Sequence, residues 1–288
     1  MTATSPEELL RLGSPDEALA ALQQHVRERP AEPKLRVFLF QLLSVLGQWE
    51  RAMNQLNVAA ELDPGTLLMA QACRHALNAE ALREEIFAGA RLPLVFGEPA
   101  EWVGWIVRAN QAAATGSTDE AERLREKALA EAPAVAGSID GHPFQWLADA
   151  DPRMGPVLEA VIGGKYFWVP LYQVRQINIQ KPTDLRDLVW TAADFIWANG
   201  GDAVGLIPTR YPGSESSKDG GIRMARKTEW MATPAGEVPM GQRMFVTDEG
   251  EYPLLETRRI LLGEQVAPAT ATASAADQSD QPGGTPHG

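Results

Sequence analysis

Apolar positions recur at three- and four-residue steps through residues 1–137, as in Leu19, Leu22 and Val26 and then Leu35, Phe38, Leu42, Val45 and Leu46. That period places one stripe of each segment on a buried helical face. Further helices are predicted from about Thr66 to Phe87, with Leu68, Ala72, His75 and Leu82 on nearby faces, and over Glu101–Ala114, which carries Trp102, Trp105 and Ile106. Beyond Lys165 the helical period disappears. Tyr166–Val169, Gln176–Ile179, Leu188–Thr191, Phe195–Ala198, Ala203–Leu206, Lys227–Met231 and Gln242–Thr247 read as strands between turn residues. Asn199-Gly200-Gly201-Asp202 is a hairpin turn, since Asn and Gly accept positive φ, and Asp248-Glu249-Gly250 is another. Pro152–Ile162 is predicted as one helix packed on the sheet, and Pro182–Leu185 as a single helical turn.

The helical half is internally repeated. Gly13, Ala18, Leu22 and Pro30 recur 34 residues later as Gly47, Ala52, Leu56 and Pro64. A third copy reads Gly116, Ala121, Leu129 and Pro133. The period is that of a tetratricopeptide helix-turn-helix unit. Its chemistry fits: glycine ends a helix, a small alanine admits a close crossing, and proline stops the next helix. Ser14-Pro15-Asp16-Glu17 and Ser117-Thr118-Asp119-Glu120 predict capping boxes; Gln48 and Trp49 break that pattern in the second copy. Three copies, with a wide gap before the third, predict a compact helical domain and not a long solenoid.

The fold class expected is therefore α+β. A tetratricopeptide-like helical domain spans 1–137, and a Trp-rich domain with a small, mixed, mostly antiparallel sheet spans 138–262. A disordered Ala/Thr/Pro-rich tail spans 263–288. Trp146, Trp168, Trp190, Trp197 and Trp230 all fall in the second part and are expected in its core. Tyr211–Gly221, polar and glycine-rich, is expected to be an exposed loop.

Charge narrows the partners. The formal net charge is −12, of which Glu264, Asp277 and Asp280 in the tail supply −3. Nucleic acid and anionic membranes want a basic face, so neither is expected; a basic protein segment suits the surface better, as does plain solubility. No run approaches 18 apolar residues and no secretory leader is read in residues 1–20, which makes a cytoplasmic location the expectation. The single cysteine, Cys73, excludes an internal disulfide and reads as a small buried side chain.

Candidate chemistry is sparse. His25 and His75 lie on helices without a paired ligand. The junction between the two halves, Ser138 to Pro170, holds Asp140, His142, Asp149, Asp151 and Arg153, where a His among carboxylates suits a metal site or a general base. The competing reading makes Asp140-Gly141 a turn and the two later aspartates caps before Pro152. Gly163-Gly164-Lys165 is not a phosphate loop, because Glu159 replaces its first glycine and Tyr166 its hydroxyl residue. No serine stands in a nucleophile elbow. No catalytic constellation forms, and neither enzyme activity, cofactor nor metal is expected.

Several stretches resemble the ImpE family, also called TagJ, of accessory proteins from bacterial type VI secretion clusters. They are Leu35–Leu43, Leu46–Glu50, Pro93–Pro99, Asp140–Trp146, Asp184–Trp190, Pro208–Ser214, Thr228–Trp230, Gly241–Met244 and Tyr252–Leu255. The resemblance implies a helical first part, an α+β second part and a non-enzymatic role at the contractile sheath. It further implies binding to the N-terminal helix of the small sheath subunit, with a link to sheath recycling by an AAA+ unfoldase. A helix-binding groove would place Leu39, Leu43, Trp49 and Met53 on its wall, each of which also suits the core. The remaining readings are a ligand-binding protein or enzyme built on Asp140, His142 and Asp149, and a homo-oligomer joined through an exposed sheet edge.

Overall fold

The computed structural model describes residues 4–263; the expected disordered tail lies outside these residues apart from Gly263. Seven helices come first: α1 (Pro6–Arg11), α2 (Pro15–Glu28), α3 (Pro33–Val45), α4 (Trp49–Leu62), α5 (Leu67–Phe87), α6 (Glu101–Ala114) and α7 (Thr118–Glu131). Antiparallel pairs α1–α2, α3–α4 and α6–α7 turn at Gly13, Gly47 and Gly116, all at positive φ, and close over Ala18, Ala52 and Ala121, all buried. The repeat read from the sequence is thus real at its turns and crossings. Leu129 of the third copy departs, being exposed and leaning on Gly155. The expected capping boxes do not form, since neither Ser14 nor Ser117 makes a side-chain cap bond.

Between α5 and α6 the chain adds a two-residue strand, β1 (Leu94–Val95). The second half builds β2 (Gly137–Ile139), β3 (His142–Phe144), β4 (Leu147–Asp149), β5 (Val157–Ile162), β6 (Lys165–Pro170), β7 (Val174–Ile179), β8 (Trp190–Trp197) and β9 (Asp202–Pro208). After β9 come the one-turn helix α8 (Gly220–Arg223), β10 (Thr228–Thr233), β11 (Gly236–Gly241), β12 (Met244–Thr247), β13 (Glu251–Pro253) and β14 (Arg259–Leu262). Nine strands form one sheet in the order β1-β6-β5-β9-β8-β7-β14-β2-β3, antiparallel except where β1 lies parallel to β6. Strand β1 thus ties the helical half into the sheet. Its outer strands β1 and β3 are two and three residues long, and β3 carries Pro143, features that blunt edge pairing. A separate hairpin, β10–β11, and a small β13-β12-β4 sheet complete the half.

Several expectations are corrected. Pro152–Ile162 is not a helix: residues 151–155 turn, with Gly155 at positive φ, and Val157–Ile162 is a strand deep in the sheet. An apolar run buried on both faces has no alternation, so its period does not separate strand from helix. The strands expected at Leu188–Thr191 and Phe195–Ala198 are one strand, β8, and the helical turn sits at Leu185–Leu188, where Asp184 and Asp187 form a capping box. Trp168, Trp190 and Trp197 are core. Trp146 and Trp230 are exposed, because one stands in the turn before β4 and the other on the free β10–β11 hairpin.

The halves share one hydrophobic core, in which Leu42, Leu43, Leu56 and Cys73 pack with Val189, Trp190 and Met224. Tyr211–Gly221 is an exposed loop only in part: Ser216, Lys218 and Asp219 are exposed, but its first residues are not. Tyr211 and Ser214 are fully buried, and the Ser214 hydroxyl donates to the Tyr211 carbonyl and accepts from the Gly241 N–H at 2.6 and 2.8 Å. The segment clasps the helical half, and Glu215 sits directly over Gly47.

Candidate functional site

The interior between helices and sheet holds a charged network. From α5, Arg83 donates Nε to Glu159 Oε1 at 2.5 Å and Nη2 to Oε2 at 3.0 Å. Glu159, on β5, also accepts from Arg243 and from the Tyr166 hydroxyl, and Arg243 pairs in turn with Asp149. Glu80, one helical turn before Arg83, accepts from the Trp190 indole at 2.7 Å. Arg210 donates to the Val45 and Ser44 carbonyls at 2.6 and 3.2 Å, filling bonding capacity that the end of α3 leaves open. Three buried arginines (Arg83, Arg210, Arg243) thus stand among three buried carboxylates (Glu80, Asp149, Glu159).

Environment separates the acids. Burial pushes Glu159 up, yet Arg83 and Arg243 outweigh it and hold its pKa at about 2. Asp149, where burial outweighs Arg243, is raised to about 6. Burial likewise raises Glu80 and lowers Arg210 to about 10. Through Arg83–Glu159, Trp190–Glu80 and Arg210–Val45 the network ties the two halves together.

Of the junction residues, Asp149, Asp151 and Arg153 lie together, the Asp151 N–H donating to Asp149 Oδ1 at 2.8 Å, whereas Asp140 and His142 stand on the β2–β3 hairpin. Asp140, at φ 50°, turns the β2–β3 hairpin and accepts from the Arg259 and Arg258 N–H groups at 2.7 and 3.0 Å. His142 is exposed on β3, with Tyr252 as its aromatic neighbour at 6.4 Å. Asp149 belongs to the buried network. Asp151, also buried, holds Arg153 through contacts of 2.6–3.0 Å, and Arg153 lies over the Phe87 ring. Among the described residues no group of three or more His, Cys, Asp and Glu is placed to hold a metal ion.

Nor do the four groove residues share a surface. Leu39 and Leu43 are 4% and 1% exposed and lie in the shared core; Trp49 and Met53 pack against it half-buried. The face they would have lined is filled by the Leu185–Leu188 turn, Trp190 and Met224 of the sheet half.

An open cleft of about 630 Å³ lies nearby, between α5 and strands β5, β8 and β9. Leu68, Cys73 and His75 line it from α5, Trp190 and Val204 from the strands, and Arg186 from the 3-10 turn. Leu68 is 85% and Val204 71% exposed, so two large apolar side chains flank a partly apolar trough. Burial raises the Cys73 thiol despite Arg186 beside it, which leaves it a poor nucleophile. Trp49 reaches the cleft only indirectly, its ring centroid 6.2 Å from that of Trp190. Sequence periodicity had marked Leu68 as a helical apolar position; only the missing neighbour in the folded chain makes it a surface feature.

A tetratricopeptide-like helical array is thus joined through a charged interior to a mixed sheet, with a partly apolar cleft where α5 meets the strands. The family model described as ImpE protein matches residues 141–261, and one for the tetratricopeptide repeat matches residues 9–74. Over 254 residues the chain is 49% identical to the "Type VI secretion system accessory component TagJ" of Pseudomonas aeruginosa, covering 88% of this chain and 89% of that protein. The chain belongs to the ImpE/TagJ family of type VI secretion accessory proteins. The crystal structure of protein VPA1032 from Vibrio parahaemolyticus shares the fold, with a TM-score of 0.81 at 24% identity over 91% of this chain and 99% of that one.

Proposed function

We propose that this protein is a non-enzymatic, cytoplasmic adaptor of the type VI secretion system. It binds the small contractile-sheath subunit through that subunit's N-terminal helix and modulates sheath assembly or recycling by the AAA+ unfoldase. Family membership supports the system, and the tetratricopeptide-like half supports a protein partner. The observation that supports the placement is the cleft flanked by Leu68 and Val204, two exposed apolar side chains beside a partly apolar trough that a partner helix would shield from water. The apolar face of an amphipathic helix would lie between α5 and β9, while the groove residues first expected are occupied internally. The test is fluorescence anisotropy of a labelled peptide spanning the sheath-subunit N-terminal helix, titrated with the full-length protein. Leu68→Asp and Val204→Asp are each expected to weaken binding about tenfold or more, since a buried apolar anchor contributes about 1.5–3 kcal/mol. Unchanged affinity in both variants would move the helix elsewhere, and no binding by the wild type would remove the sheath-subunit reading.

A further inference from the structure

A second cavity, of about 270 Å³, separates the α6–α7 pair from the tip of the β10–β11 hairpin, with Phe87, Pro234 and Val238 among its apolar walls. Two polar atoms of its lining residues have no partner. Asn110 is 6% exposed; its Nδ2 donates to the Arg153 carbonyl at 2.9 Å, which orients the amide and leaves Oδ1 an unmet, buried acceptor. Arg125 has a buried Nε that likewise donates to nothing. The nearby Asp151 carboxylate is engaged by Arg153 through three contacts, and Glu237, exposed at the cavity, makes no ion pair with Arg125. Burial lowers the Arg125 pKa from its ordinary value and outweighs the attraction of the nearby Asp151.

Position 125 is itself unusual. It stands nine residues after Gly116, as Leu22 does after Gly13 and Leu56 after Gly47, and both leucines are fully buried. The third repeat has exchanged a core leucine for a guanidinium at a cavity wall. Arg125 is only partly buried, but its shielded Nε–H is left without an acceptor that an anion in the cavity would supply.

We propose that this cavity binds a carboxylate flanked by an amide N–H, the carboxylate accepting from Arg125 and the N–H donating to Asn110 Oδ1. That pair of groups exists at a polypeptide C-terminus, and also where an aspartate side chain lies beside its own backbone N–H. The site is separate from the α5 cleft and does not depend on which partner occupies that cleft.

The experiment is isothermal titration of the full-length protein with small probes. N-Acetylglycine carries both groups, acetate only the carboxylate and N-acetylglycinamide only the amides; N-acetylaspartate N-methylamide represents the side-chain source. N-Acetylglycine is expected to bind saturably and about tenfold or more tighter than acetate or N-acetylglycinamide, because each lacks one of the two hydrogen bonds. The aspartate probe binding tighter than N-acetylglycine would assign the site to an internal acidic residue, the reverse to a chain terminus. Arg125→Gln is expected to abolish the response and Arg125→Lys to retain part of it. Asn110→Ala should reduce N-acetylglycine to the level of acetate; if that buried change unfolds the protein, Arg125→Gln decides alone. No saturable binding of either full probe, or binding unchanged in Arg125→Gln, overturns the proposal. So does a crystal structure in which one water bridges Asn110 Oδ1 and Arg125 Nε and persists at saturating N-acetylglycine.

Discussion

Arg83 and Glu159, 76 positions apart, meet through two parallel nitrogen–oxygen contacts of 2.5 and 3.0 Å in the interior where helix α5 crosses the sheet. Arg83 also donates to the Arg210 carbonyl at 2.6 Å, so one side chain reads the helix, the sheet and the chain leaving β9. Glu159 is the more heavily used partner, because Arg243 and Tyr166 converge on the same carboxylate. Removing it leaves two buried guanidiniums under-compensated, whereas removing Arg83 leaves Glu159 still paired. Glu159→Gln is therefore expected to cost about 3–5 kcal/mol and Arg83→Met about 2 kcal/mol in urea unfolding. A Glu159→Gln cost below about 1 kcal/mol would show that the network does not hold the halves together.

The same network gives a pH signature. Asp149 is raised to about 6 in the folded protein, so across pH 4–6 the folded state holds a proton that the unfolded chain releases. Its contribution is thus most favourable below the unfolded value near 3.8 and is lost as pH rises through 6. Glu159, held near 2, contributes stability above its ordinary 4.5 that disappears only as pH falls toward 2. Between pH 7 and 5 the Asp149 effect stands alone of the two and is expected to raise stability on acidification, by up to about 3 kcal/mol across its full titration. Thermal unfolding from pH 7.5 to 4.5 checks this. Asp149→Asn should reduce the slope, leaving the part that Glu80, also raised by burial, contributes; an identical slope in that variant would contradict the assignment.

Two arginine contacts to the helical half differ in environment and should differ in effect. Arg210 is buried and serves carbonyls near the end of α3, whereas Arg223 meets an exposed Asp16 at 2.6 Å. Arg210→Met would strand buried acceptors and is expected to cost about 2–4 kcal/mol. Asp16→Ala should stay within about 1 kcal/mol, because solvent screens the pair. Equal costs in chemical denaturation would mean that burial is not what distinguishes them.

How much of this was legible follows from how local each cause is. Gly13, Gly47, Ala18 and Ala52 act within one turn or one crossing, so their spacing alone exposes the tetratricopeptide-like half. Glu159 carries the opposite lesson: a lone carboxylate inside Val157–Ile162 hints at a buried partner, but Arg83 and Arg243 lie 76 and 84 positions away. Without them the run reads as easily for helix as for strand. The polar segment after Tyr211 looks solvated until Ser214 finds the Gly241 amide, and that bond exists only in the folded chain. The second cavity had a visible sign, Arg125 at the repeat position of Leu22 and Leu56, which alignment by Leu129 conceals.

Gly13 and Gly47, 34 positions apart and both left-handed, offer a direct measure of the clasp that the segment after Tyr211 makes. A Cβ at position 13 meets nothing within 4 Å, so Gly13→Ala costs only the unfavourable backbone region, about 1–2 kcal/mol. A Cβ at position 47 would lie 2.5 Å from Glu215 Cγ and 2.8 Å from its Cβ, atoms too near the backbone to swing aside. Gly47→Ala must carry the same backbone cost and also push the clasp off the α3–α4 turn, for a total of about 3 kcal/mol. In a Glu215→Gly background the steric part vanishes, and Gly47→Ala should fall back to the cost of Gly13→Ala. Guanidinium unfolding of the wild type, the three single variants and the Gly47→Ala/Glu215→Gly double variant measures this directly. If Gly47→Ala costs the same whether or not Glu215 is present, the clasp does not bear on that turn.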